Sequence, residues 1–173
     1  RAAMRSEIAA VVLALALAGA TAAPSSAVAG LDEGLAHLHA GEYLDALEEL
    51  LPVANAGDPR AQAEVGMIYH YGLVSAKNFA KASDYYSRAA QQENADGMIG
   101  LAVMNALGQG VAKNMVEAYK WLLLARDRLP RGNDRDRIDG TLESFRESMT
   151  NGDVELAEWR ARTWVPAMSG TNR

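Results

Sequence analysis

The chain has 173 residues, 49% apolar and 23% charged, enough to bury a full core as one domain. Its formal charge of −5, with no Lys/Arg run, is the opposite of the clustered basic surface that nucleic acid calls for. There is no cysteine, which removes disulfides, thiolate nucleophiles, Cys-based zinc sites and acylation on an N-terminal Cys.

Residues 1–29 read as a secretory signal peptide, outside the fold. Arg5 follows Met4, Ile8 to Ala18 is an unbroken apolar run, and Ala-x-Ala sites follow at Ala20-Thr21-Ala22 and Ala27-Val28-Ala29. The run is shorter than the roughly 20 residues a bilayer span takes. A retained anchor and a buried first helix are the alternatives, and Glu7 sits where positive charge is wanted. Cleavage would leave an acidic protein in the periplasm or secreted, with membrane contact only through an uncleaved leader.

A helical domain is expected over residues 30–166. Leu31, Leu35 and Leu38 form one helical stripe, and Tyr43, Ala46, Leu47, Leu50 and Leu51 form a second after Ala40-Gly41-Glu42. Gly57-Asp58-Pro59 closes this first pair (30–57): Gly ends a helix, Asp caps the next, and Pro suits its first turn.

Two copies of one unit follow, over 58–94 and 95–129, at a period of 36 residues. Gly72 recurs as Gly108, Ala82 as Ala118, Ala89 as Ala125, and Ala76-Lys77-Asn78 as Ala112-Lys113-Asn114. A period of roughly 20–50 residues signals stacked repeats. Each copy reads as helix A, glycine loop, helix B: Arg60 to Tyr71 with Phe79 to Gln91, then Ala95 to Leu107 with Met115 to Arg128. Asn78 and Asn114 stand at N-cap positions, and Gly72 and Gly108 just past the A helices. Ala82, Ala89, Ala118 and Ala125 mark a small-residue seam on helix B, faced by Gly66 and Ala102. Tyr85 and Trp121 are the expected core anchors.

A fourth pair, 133–166, caps the array. Ile138, Leu142, Phe145 and Met149 share one face, Thr150 to Asp153 has capping-box spacing, and Val154, Ala157, Ala161 and Trp164 make the last stripe. The mixed charges from Arg126 to Asp139 suit a solvated face, and 167–173 a frayed tail.

Gly66, Tyr69, Gly72, Asn78, Lys81-Ala82, Tyr85 and Arg88-Ala89-Ala90 resemble the Sel-one-like repeat pattern, and the second copy matches through Leu101, Gly108, Gly110-Val111, Asn114, Ala118, Trp121 and Ala125. The first pair looks like a tetratricopeptide unit. The resemblance implies an all-α fold, a right-handed α/α superhelix of stacked helix pairs that binds protein partners. Val74 stands at the loop's second glycine, Asn105 replaces the tyrosine and Glu117 the lysine. Positive φ at Val74 would be strained, so the first loop is expected to take a different path.

No catalytic group, metal site or cofactor site is expected. His37 and His39 are two apart and share no helix face, and no nucleophile elbow or phosphate loop is present. Carrying the superfamily's inward positions over gives a concave groove of Arg60, Ala63, Met67 and His70 from the first copy, with Asp96, Ile99, Val103 and Ala106 from the second. The same side chains also suit plain packing of the interior. The expected function is a non-enzymatic exported adaptor that holds a protein or peptide in this groove, with the roles of envelope regulator or assembly factor implied by the resemblance. A periplasmic carrier or sensor of a small amphipathic ligand or cell-wall fragment is the alternative.

Overall fold

The computed structural model describes residues 26–166, which form eight α-helices and no strands. They are α1 (Ser26–Ala40), α2 (Tyr43–Ala56), α3 (Pro59–Tyr71), α4 (Phe79–Gln91), α5 (Ala95–Leu107), α6 (Met115–Arg128), α7 (Asn133–Ser148) and α8 (Asn151–Thr163). The chain is an all-α helical-repeat solenoid. The tail and most of the leader lie outside the described residues. Helix α1 begins at Ser26, inside the span assigned to the leader, and runs through the second Ala-x-Ala site. Among the described residues no helix is long and apolar enough to cross a membrane.

Local chemistry sets the helix ends. Asp58 Oδ1 accepts from the Ala61 N–H at 2.8 Å and Pro59 opens α3. Asn78, Asn94 and Asn114 each accept from the N–H three residues on, so three consecutive helices carry an asparagine cap. Gly72 and Gly108 both sit at φ +69°, the left-handed conformation a Cβ disfavours. The two loops open and close alike. Gly72 and Leu73 N–H groups donate to Ile68 O, as Gly108 and Gln109 donate to Met104 O. Asn78 N–H donates to Tyr69 O, as Asn114 donates to Asn105 O. The loops differ between these points, as Val74 foretells: Gly110 takes φ +74°, whereas Val74 avoids positive φ and packs on the first core with Leu73.

The core has two clusters that meet at α4. Tyr85 packs with Leu50, Val53, Val65 and Ile68, while Tyr86 packs with Met98, Leu101, Met104 and Leu122. Adjacent helix residues point about 100° apart, from 3.6 residues per turn, so the two tyrosines face opposite repeats. Helix α3 touches α5 directly, with no comparable contact between α4 and α6, so the A helices lie on the inner side.

Two close approaches depart from the expected seam. A Cβ on Gly66 would stand 2.7 Å from the Tyr86 ring, so this glycine admits Tyr86 and not the Ala82/Ala89 row. Ala89 instead faces Gly97 of the next repeat, where an added Cβ would lie 2.6 Å from Ala89 Cβ and 2.9 Å from Tyr86 O. The alanines thus join neighbouring repeats as well as the helices of one hairpin.

At the C-terminal end α7 and α8 each lean on α6 more than on one another. Thr150 caps α8, its Oγ1 accepting from the Asp153 N–H at 3.2 Å, and Trp164 meets Trp121 edge-on at 5.7 Å. Glu117, the residue that replaces a lysine, bonds Lys120 on its own helix and Arg160 of α8, the latter at 2.6 Å. Burial pushes the Glu117 carboxyl up, but the bonds and charges of Lys120 and Arg160 outweigh it and hold it below its usual value. A lowered folded-state value means stability that is present above the unfolded value and lost as pH falls through the folded one. Glu117→Gln is therefore expected to lower the melting temperature at pH 7. The gap to wild type should close in acid, below the folded-state value, as thermal melts across a pH series would show.

Candidate functional site

The inner face carries a shallow cavity of about 280 Å³ between α3 and α5. Six of the eight predicted groove residues line it: Ala63, Met67, His70, Asp96, Ile99 and Val103. Val103 also borders a second cavity of about 210 Å³, wholly apolar, which includes Ala106, Leu122 and Phe145 of α7. The two meet at Val103 and form one groove across both repeats and the capping helix α7. Arg60 is exposed and lines neither cavity.

Equivalent positions build the rim. Tyr71 and Leu107 end their A helices one period apart, and both are exposed, at 55% and 63%. Met67 and Val103 are likewise one period apart and half-buried on the groove's midline.

The Sel1 repeat family model matches residues 59–94 and again 95–128. The chain carries two Sel1 repeats in tandem. Among solved structures, a protective antigen of uropathogenic Escherichia coli strains that displays an SLR fold superposes with TM-score 0.70 at 21% identity, over 79% of this chain and 29% of that one. A Sel1 repeat protein from Oxalobacter formigenes gives 0.61 at 26% identity, over 76% of this chain and 54% of that one. The chain thus spans less than a third of the first and about half of the second. No curated protein sequence matches it significantly.

Within the first Sel1 repeat His70 has a different place from the one its groove position implies. It is only 3% exposed, ringed by Tyr71, Phe79 and Tyr86. Nε2 donates to Gln109 Oε1 at 2.6 Å, which leaves Nδ1 to accept from the Tyr86 hydroxyl at 3.4 Å. The ring ties helix A of one repeat to the glycine loop of the next. A charge placed there would therefore test folding before binding.

Four lining residues were not among the eight: Glu64, Tyr71, Tyr86 and Gly100. Glu64 and Tyr71 were within reach, because an inner face at 60, 63, 67 and 70 also takes in 64 and 71. Tyr86 and Gly100 were not, since the period pairs them with Leu122 and Glu64, unlike residues. Burial, and then the charge of Asp96, hold the Glu64 carboxyl above its usual value, with Arg60 and His39 acting against them.

Away from the groove, His37 Nδ1 bonds Glu42 Oε2 at 2.6 Å across the first turn, with Asp45 close by. All three are at or near the surface, and the pair latches α1 to the start of α2. A further cavity of about 410 Å³, between α6, α7 and α8, has the ion pairs Arg146–Glu158 and Arg126–Asp139 in its wall.

Proposed function

We propose that this Sel1-like repeat protein is a non-enzymatic, exported scaffold that holds a protein or peptide segment along its inner groove. The observation that supports this reading is the convergence of equivalent A-helix positions from both repeats on one groove, partly apolar and open to solvent. Sel1 repeat proteins generally serve as helical-repeat interaction scaffolds, and extended inner surfaces are how stacked repeats bind. Half-buried Met67 adds a contact that adapts to different partners. A carrier of a small ligand has less support: both groove cavities are open to solvent, whereas ligand pockets bury most of a small molecule's surface.

Val103→Glu places a charge where the two cavities meet, on a side chain already half-exposed to water. The expected result is loss of a partner recovered from envelope extract by the wild-type protein, with the melting temperature kept within a few degrees. Recovery of the same partner by both proteins would count against the groove.

Export carries its own expectation. Helix α1 begins at Ser26, and Gly30 is buried, with a Cβ there 3.2 Å from Val53. Cleavage after Ala29 would remove the first turn of α1 and put a charged amino terminus into that contact. We therefore expect cleavage after Ala22, and intact-mass measurement of the exported protein should give a chain beginning at Ala23, not Gly30.

A further inference from the structure

We infer that the groove selects a partner segment carrying a lysine or arginine beside Glu64 and Asp96 and an apolar side chain over Ala106 and Leu122. This deepens the groove reading and rests on it. The two ends of the groove differ in chemistry. The α3–α5 cavity is lined by Glu64 and Asp96 with no lysine or arginine, and the adjoining one is lined by no charged residue.

The acidic end lacks a partner that the fold supplies elsewhere. Glu117 and Glu158 are part-buried acids, and each holds two basic side chains: Lys120 with Arg160, and Arg146 with Arg162. Glu64 is also part-buried, yet neither it nor Asp96 makes a side-chain hydrogen bond or ion pair among the described residues. Desolvation and the Asp96 charge already raise the Glu64 proton affinity, and the opposing charges of Arg60 on α3 and His39 on α1 leave that rise standing. An incoming cation would offset both causes, because it restores the stabilisation that water supplied and screens the two carboxylates from each other.

The surrounding wall fits the same occupant. Exposed Tyr71 lines the same cavity, giving a ring face to a guanidinium or ammonium and cover for the aliphatic stem of a long basic residue. A lone anion would meet like charge, and a purely apolar side chain would strand both carboxylates under it. At the other end the apolar lining excludes charge and takes a leucine, isoleucine or phenylalanine. Leu107, exposed on the rim, covers such a side chain once it is seated.

The test is selection of a random twelve-residue peptide library displayed on phage against the purified protein, with the winners remade synthetically. Affinities are then measured on wild type, on Val103→Glu, and on the double variant Glu64→Gln/Asp96→Asn. The inference expects winners that pair Lys or Arg with a large apolar residue. Their binding should be lost with Val103→Glu, weakened about tenfold by the double variant, and weakened by added salt. Winners blocked by Val103→Glu but indifferent to the double variant would overturn the basic-anchor inference and leave the groove reading standing. A selection yielding no peptide sensitive to Val103→Glu would overturn the groove reading, and the inference with it.

Discussion

Tyr86→Ala is expected to cost about 3–5 kcal/mol of folding stability, the range for removing a large buried aromatic side chain. The ring is 4% exposed and belongs to the core cluster of the second repeat while springing from the B helix of the first. It fills a slot made by two glycines, since a Cβ on Gly66 would lie 2.7 Å from it and one on Gly100 2.6 Å. No side chain at either position can swing in to fill the void. Tyr86→Phe keeps the ring and loses only the hydroxyl beside His70 Nδ1, so about 0.5–1.5 kcal/mol is expected. Urea unfolding of both variants separates packing from the hydrogen bond. Equal effects would mean that the hydroxyl, and not the ring, holds the repeats together.

Gly97→Ala is expected to destabilise by about 1–3 kcal/mol, as overpacking of a tight core does. The added methyl would stand 2.6 Å from Ala89 Cβ and 2.9 Å from the backbone oxygen of Tyr86, so α4 and α5 must part for it to fit. Gly140→Ala is the same chemical change where no atom lies within 4 Å, inside α7. There helix propensity acts alone, and a gain of about 0.4–1 kcal/mol is expected. Opposite signs in the two melts would tie the first loss to the inter-repeat contact and not to glycine chemistry in general.

How much of this the sequence carried depends on whether a contact repeats. Both repeat hairpins were legible almost to the residue, because Asn78, Asn114, Gly72 and Gly108 mark helix ends by local chemistry alone. The departure at Val74 was legible for the same reason, and Val74 itself does avoid positive φ. The partner of the alanine seam was not. A 36-residue period shows that Ala89 and Ala125 occupy like places, but not that Ala89 meets Gly97 of the following helix. In the groove, the inward positions implied by the family resemblance include Ala63, Met67, Asp96, Ile99 and Val103, which line one cavity. Such a resemblance has its limit at His70. It could not reveal that His70 turns inward, because that depends on Gln109, 39 residues on, offering an acceptor.

Glu64 shows the other limit. As one acid on a polar-looking helix it reads as a solvated residue, and only the neighbouring α5 supplies the burial and the Asp96 charge that give it significance. The Glu117 exchange is similar. A lysine-to-glutamate departure looks like a weakened repeat until Arg160, arriving from the last helix, turns it into a tie between the array and its end.

The central claim is that the inner face, and not the outer one, meets the partner. Site-specific photocrosslinking tests it most directly, with a benzophenone amino acid placed at Val103 in the groove or at Asp84 on the outer helix α4, in cells that make the protein. Adducts from position 103 that are absent from position 84, joined to a segment bearing a basic and an apolar residue, are the predicted result. Adducts formed from position 84 alone would place the interface on the opposite side of the solenoid and contradict the account.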